Sequence, residues 1–250
     1  MMDDPLFAVQ GKVVVIAGAG GGLGSEIARA LHARKARLSL FDIDDARLQS
    51  VAGDCPDAEI SNADIRDEGA LRIVIERAKQ DFGRLDAVIN AAGLLPIAPS
   101  ISLEEANFRE CIDVNLTGAF LLSKVAAEVL GEAGGRIVHL ASVSSQVSNA
   151  QYAAYASSKA ALSQLVRVLA REWAPLDITV NAIGPALTIT PLTHEYLADR
   201  EFRDQAVAAI PMGRLGEPQD LLGTVVLLLA SGGAFITGQT IYVDGGRTLV

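Results

Sequence analysis

Tyr155 and Lys159 stand four residues apart in Tyr155-Ala156-Ser157-Ser158-Lys159, at the start of a helical pattern, so phenol and ammonium share one helix face. A free phenol titrates near ~10 and shuttles protons poorly at neutral pH; a nearby ammonium stabilises the phenolate and pulls that value down. Ser142 follows the run Arg136-Ile137-Val138-His139-Leu140-Ala141 and offers a hydroxyl that can hydrogen-bond a substrate oxygen as charge develops on it. The three together suit proton exchange with an alcohol or a carbonyl. Each has an ordinary reading too, since tyrosine and lysine often sit four apart on helices and serines crowd loops.

A second group supplies context. Gly18-Ala19-Gly20-Gly21-Gly22-Leu23-Gly24 lies between an apolar run and a helical pattern beginning Ser25-Glu26-Ile27-Ala28. Glycines there let the backbone turn sharply and approach a pyrophosphate, which then lies against the positive end of the helix. Eighteen residues beyond Gly24, the run Ser39-Leu40-Phe41 ends in Asp42. A carboxylate there accepts hydrogen bonds from the adenosine ribose hydroxyls and repels a 2′-phosphate. Neither the glycine turn nor Ile43, the next residue, brings a cation to offset it, so the expected cofactor is NAD, favoured over NADP.

The elements that must position these residues follow from periodicity. Short β-branched runs at 12–17, 36–41, 60–63, 85–90, 136–141, 178–183 and 240–243 read as strands. Unbroken apolar stretches such as Val13-Val14-Val15-Ile16 imply burial on both faces, as in a parallel sheet. Helical patterns fill 22–34, 44–53, 67–82, 102–130, 152–174, 195–209 and 217–230. The alternation predicts an α/β fold: a single-domain, Rossmann-type, doubly wound parallel sheet of about seven strands with helices on both faces. The domain is expected to span 1–250, with the irregular segment 184–212 as a substrate lid beyond the strand ends.

With the glycine turn, Asp42 and a parallel-sheet pattern around Tyr155 and Lys159, the chain resembles the short-chain dehydrogenase/reductase family from about Gly11 to Gly246. The resemblance places Gly18, Gly22, Leu23 and Gly24 in the coenzyme turn, and Asp64 and Ile65 at the adenine. It likens Asn90-Ala91-Ala92-Gly93 to the family's N-N-A-G segment, with Asn90, Ala91 and Gly93 beside the cofactor. Asn115 would complete a catalytic tetrad with Ser142, Tyr155 and Lys159 by supporting a water-linked path to the lysine, and Tyr155 and Lys159 would also touch the coenzyme. Pro185 would pass the nicotinamide, with Thr188 and Thr190 facing its carboxamide and the phosphates. Ala17, Ala91 and Ala186 depart from the usual Thr, Asn and Gly, which puts loop hydrogen bonding in question.

The bulk numbers narrow the alternatives. A net charge of -9 repels phosphate backbones, and no basic stripe compensates, so no nucleic acid is expected as a partner. Mean hydropathy is +0.31, yet runs such as Leu221 to Ala230 are too short to span a bilayer, so no membrane partner is expected and the apolar excess reads as core and subunit contact. Met1-Met2-Asp3-Asp4-Pro5 is acidic where a secretory signal is basic, which points to the cytoplasm. Cys55 and Cys111 lack ligand spacing, so no metal site is expected.

The helix carrying Tyr155 has apolar residues on several faces (Leu162, Leu165, Val166, Val168, Leu169), which predicts burial all round; the resemblance makes it a subunit interface in a homotetramer or homodimer. His139 reads as a hydrogen-bonded core residue, while His194 and Tyr196 lie where a small-molecule alcohol or ketone could reach them. Competing readings are a dinucleotide-binding sensor without catalysis, and an extended epimerase or dehydratase, which would carry a longer C-terminal substrate region. Among substrates, the C-terminal stretch is similar to gluconate 5-dehydrogenase-like members, which implies a polyol or sugar acid; 3-oxoacyl reductases are another resemblance, but commonly prefer NADP.

Overall fold

A computed structural model describes residues 4–250; Met1 to Asp3 of the acidic N-terminus lie outside them. Seven strands, β1 (Val13–Ala17), β2 (Arg37–Asp42), β3 (Glu59–Asn62), β4 (Ala87–Asn90), β5 (Gly135–Leu140), β6 (Ile178–Pro185) and β7 (Thr240–Val243), form one parallel sheet in the order β3-β2-β1-β4-β5-β6-β7. The order reverses between β1 and β4, where a crevice opens beyond the strand ends.

The burial of β1 shows why the sheet has two helical layers. Val13, Val15 and Ala17 pack into a cluster with Leu71, Leu122 and Leu162, from α3 (Glu68–Phe82), α5 (Gly118–Leu130) and α6 (Ala153–Trp173). Val14 and Ile16 point the other way, to Ile27, Leu48 and Val225 of α1 (Gly22–Ala33), α2 (Asp45–Asp54) and α9 (Pro218–Leu229). A strand whose successive side chains alternate faces can be apolar throughout only when both faces are covered.

Helix ends carry their own chemistry. Asp44 caps α2 by accepting from Arg47 N–H at 3.0 Å, and Asp67 caps α3 through Gly69 and Ala70 N–H. Gly83 ends α3 in the left-handed region at φ +76°.

Two expectations need correction. The helix predicted over 102–130 is α4 (Glu105–Ile112), a π turn at Asp113–Thr117, and α5. Such turns insert a residue that periodicity does not reveal, and they recur at functional sites; this one carries Asn115. The helix predicted over 195–209 is two, α7 (Pro191–Leu197) and α8 (Arg200–Ala208), because Asp199 turns its carboxylate to Glu201 and Phe202 N–H and starts a new helix. In the single chain Leu162, Val166 and Leu169 of α6 are buried and Val168 is 43% exposed. The stretch Glu105–Ala133 is apolar and long enough to cross a bilayer, yet over half of its most apolar 18-residue window is buried, with α4 against α6 and α5 against α3, as befits core helices.

Candidate active site

The ends of β1, β4, β5 and β6 open on a cleft of about 820 Å³. The cleft wall includes Leu23, Ala91, Gly93, Ser142, Tyr155, Lys159, Pro185, Thr188 and Thr190, so residues from five separate segments meet there.

The glycine turn is tight for identifiable reasons. Gly18 is left-handed at φ +71°, and a Cβ on it would meet Ala92 N at 2.5 Å. A Cβ on Gly24 would collide with the Gly18 carbonyl oxygen, and one on Gly22 would strike Thr190 and Pro191 at 2.7 Å. Only a chain without side chains lets β1, the β4 loop and the start of α7 approach this closely.

Asp42 stands beside the turn with its carboxylate held by two backbone donors, Gly20 N–H on Oδ2 and Asp44 N–H on Oδ1, both at 2.9 Å. Gly20 therefore serves Asp42 directly, a role the spacing did not announce. The structure also brings Arg47 of α2 beside Gly20, with its Cβ 2.9 Å from where a Gly20 side chain would begin. Its guanidinium is paired with Asp44 at 3.1 Å. A cation thus comes near the turn from α2, at a position that neither the glycine turn nor Ile43 announces.

Asp64 and Ile65 do not line the cleft. Arg66 grips the Asp64 carboxylate, donating from Nε at 3.0 Å, and this hydrogen bond holds the carboxyl below its ordinary range. Ile65 is buried beneath Gly118, whose missing side chain leaves room for it.

Asn90 is buried and acts on the cleft through its neighbours. Its Oδ1 accepts from Ala92 N–H at 3.1 Å, and its amide reaches His139 Nδ1 at 3.4 Å. Ser123 donates to the Ala119 carbonyl at 2.7 Å, so its oxygen accepts from His139 Nε2 at 2.9 Å and the ring's proton is fixed on that nitrogen. Complete burial, reinforced by the charge on Lys159, pushes the imidazole down to about 3. His139 is the hydrogen-bonded core residue expected, and the load it carries is the Asn90–Ala92 turn.

Around Tyr155 the geometry corrects part of the electrostatic expectation. The Lys159 Nζ donates to the Leu140 carbonyl at 2.7 Å and lies 5.7 Å from the Tyr155 ring centre. Burial lowers Lys159 to about 8 and raises Tyr155 to about 12, the latter against the opposing pull of a hydrogen bond with Ser142. The phenol is therefore less acidic than a free one, because loss of water outweighs the hydrogen bond with Ser142. Ser142 itself is set from two sides: its Oγ accepts from Ser144 N–H at 3.1 Å, and its carbonyl accepts from Ser145 Oγ at 2.7 Å. Tyr242 of β7 in turn bonds Ser145 at 2.7 Å.

Asn115 spends its amide elsewhere than on Lys159. Nδ2 donates to the Leu94 carbonyl and to Ser158 Oγ, both at 2.9 Å, and Oδ1 accepts from Leu94 N–H at 2.8 Å. Ser158 then donates to the Tyr155 carbonyl at 2.7 Å, so Asn115 ties the β4 loop to the helix bearing the phenol. Gly93 lies between the two groups: a methyl there would sit 3.3 Å from Asn115 Oδ1 and 3.5 Å from Lys159 Nζ.

Further out, Tyr196 lines the cleft and His194 does not. Sequence reasoning missed Asn149, Gln151, Gln205 and Arg247, which line the same space. Arg247 alone left a trace, as a lone cation after the paired glycines that close β7.

Comparison with known proteins agrees with this architecture. The model of a family described as Enoyl-(Acyl carrier protein) reductase matches residues 18–248. The NAD-dependent glycerol dehydrogenase of Listeria innocua is 31% identical, over 98% of this chain and 97% of that protein. A short-chain type dehydrogenase/reductase from Mycobacterium marinum superposes with a TM-score of 0.93 at 29% identity, covering 98% of each chain. A gluconate 5-dehydrogenase from Burkholderia cenocepacia, solved with NADP and tartrate, gives 0.92 at 27% identity, again over 98% of each. The chain belongs to the short-chain dehydrogenase/reductase family and is an oxidoreductase of that family, one that binds a nicotinamide dinucleotide.

Proposed function

We propose that this oxidoreductase interconverts a secondary alcohol and a ketone with NAD, using Tyr155 as general acid and base. The observation that carries the reading is the meeting of Ser142, Tyr155 and Lys159 on one cleft wall with the glycine turn's Leu23. When bound, NAD supplies a nicotinamide ring that accepts or gives the hydride. In reduction the Tyr155 phenol gives its proton to the carbonyl oxygen while Ser142 steadies that oxygen; in oxidation the phenolate takes the alcohol proton. Lys159 favours the phenolate by its charge, and Asn115 and Ser158 fix the helix that carries both.

For the coenzyme, Gly18, Gly22 and Gly24 make room for the pyrophosphate, and Asp42, aimed by Gly20 and Asp44, receives the adenosine ribose. Its anchored charge favours NAD. Arg47 nearby, and the NADP in the Burkholderia relative, are what favour NADP as the second reading. Asp64 and Ile65 support the adenine end, Asn90, Ala91 and Gly93 the floor, and Pro185, Thr188 and Thr190 the nicotinamide side. Segment 184–212 serves as the substrate lid, built on its own small apolar cluster of Ala186, Ile210 and Leu215 against Val143. A hydroxylated substrate agrees with relatives named for glycerol, threitol and gluconate. Assembly as a homotetramer or homodimer would cover Phe108, Phe120 and Val168, which α4, α5 and α6 leave exposed.

Replacing Tyr155 with Phe is the direct test. Turnover falls about 10²- to 10⁴-fold while NADH binding, followed by fluorescence, is retained. A Tyr155→Phe enzyme with undiminished turnover defeats the assignment, and a screen with NAD and NADP in parallel decides the coenzyme.

A further inference from the structure

Tyr152 stands at the entry to α6, just ahead of Tyr155. Gln151 before it is left-handed at φ +71°, a conformation that residues with a side chain seldom adopt, and its carbonyl accepts from Ala98 N–H at 3.1 Å. That bond ties the turn to the segment after β4 and fixes the direction in which the next side chain leaves the backbone. Tyr152 packs edge-on against Tyr155, with ring centres 6.1 Å apart and planes at 75°. Both rings line the cleft.

The chain has four tyrosines, and three of their hydroxyls have partners. Tyr155 shares a hydrogen bond with Ser142, Tyr242 bonds Ser145 at 2.7 Å, and Tyr196 donates to the Leu95 carbonyl at 3.3 Å. Among the described residues no group bonds the Tyr152 hydroxyl, although the residue is only 9% exposed. Nor is that hydroxyl sealed in: among the described residues, the fully enclosed side-chain oxygens without a partner are those of Ser163 and Thr179. The Tyr152 oxygen therefore opens on the cleft.

A hydroxyl so nearly withdrawn from water is costly to leave unpaired. Its neighbours Leu95 and Ile97 bring no polar side chain, and the Leu95 carbonyl already accepts from Tyr196. Burial and the nearby Tyr196 push the Tyr152 phenol above its ordinary value, so it stays protonated and able to donate at neutral pH. For packing against the Tyr155 ring a phenylalanine would serve as well, without a hydroxyl to desolvate. The oxygen is the feature that calls for a ligand.

We infer that Tyr152 is a specificity-determining residue: its phenol donates a hydrogen bond to a second oxygen of the substrate, carried near the carbon that reacts at Tyr155. With the ring centres 6.1 Å apart, one small molecule can touch both phenols. A substrate without that oxygen presses carbon against the buried hydroxyl and leaves it unpaired, which is how a polar pocket rejects an analogue lacking the matching group. The inference rests on Tyr155 being the phenol that exchanges the proton. It adds to that reading a residue and a point of recognition on the substrate.

The test uses pairs of secondary alcohols that differ by one hydroxyl near the carbinol, from butane-2,3-diol against butan-2-ol to hexitols against their deoxy analogues. Each pair is run with NAD and NADP in the wild-type, Tyr152→Phe and Tyr155→Phe enzymes. The wild type prefers the oxygenated member. Tyr152→Phe keeps the ring against Tyr155 and loses only the oxygen, so its kcat/KM falls about 10- to 100-fold on the oxygenated member and stays within about twofold on the other. NADH titration and thermal unfolding match the wild type. A wild type with no preference in any pair overturns the inference, as does a Tyr152→Phe enzyme that loses both members equally, the mark of a packing role, or neither. Those results leave the chemistry at Tyr155 standing. Full turnover by Tyr155→Phe, or a wild type that oxidises neither member of any pair, would instead remove the reading beneath the inference and the inference with it.

Discussion

Acidification should unlock the cleft floor through His139. The imidazole is 0% exposed, donates to Ser123, and receives the Asn90 amide that holds Ala92. Burial lowers it from 6.5 to about 3. The unfolded chain thus takes up a proton as pH falls through 6.5, while the folded protein resists until about 3. Stability is unaffected by this group above 6.5 and declines between these two values as pH drops. At pH about 5, roughly one and a half units of that interval have been crossed, worth about 2 kcal/mol, and near pH 3 the whole loss is about 4 to 5 kcal/mol. Urea unfolding of the wild type and of His139→Gln, followed by Trp173 fluorescence at pH 8, 6 and 5, isolates the effect. Glutamine offers an amide donor and a carbonyl acceptor and cannot titrate, so the variant starts less stable at pH 8. The wild type should then lose about 2 kcal/mol more than the variant on going to pH 5. Parallel pH dependence in the two proteins would refute the reasoning, since the only titratable difference between them is this ring.

Gly24→Ala drives a methyl into the Gly18 carbonyl and should abolish NADH binding in a fluorescence titration, with the lost affinity exceeding any loss of thermal stability. Asp42→Asn removes the charge at the ribose end while Arg47 remains; the ratio of kcat/KM for NADP over NAD should rise at least about 10-fold, one pKa-sized electrostatic step. Because burial holds the Tyr155 phenol protonated to about 12, oxidation should accelerate and reduction slow as pH rises through the alkaline range. Rate profiles measured in both directions check the sign.

Local chemistry made much of this protein legible in its sequence. Unbroken apolar runs such as Val13–Ala17 can only be strands covered on both faces, and the glycine turn before α1 and Asp42 at the end of β2 have fixed offsets along one chain. Tyr155 and Lys159 share a helix face by spacing alone. The π turn at Asp113–Thr117 and the break at Asp199 escaped periodicity, because each is decided by what a few polar atoms bond to and not by where apolar residues recur. Tertiary structure alone decided that Asn115 clamps Leu94 and Ser158, that Lys159 is engaged by Leu140, and that burial raises the Tyr155 phenol. It likewise set Arg47 beside Gly20 and Arg247 at the cleft wall. Partners and desolvation depend on residues distant in the chain, and no spacing along the chain encodes them.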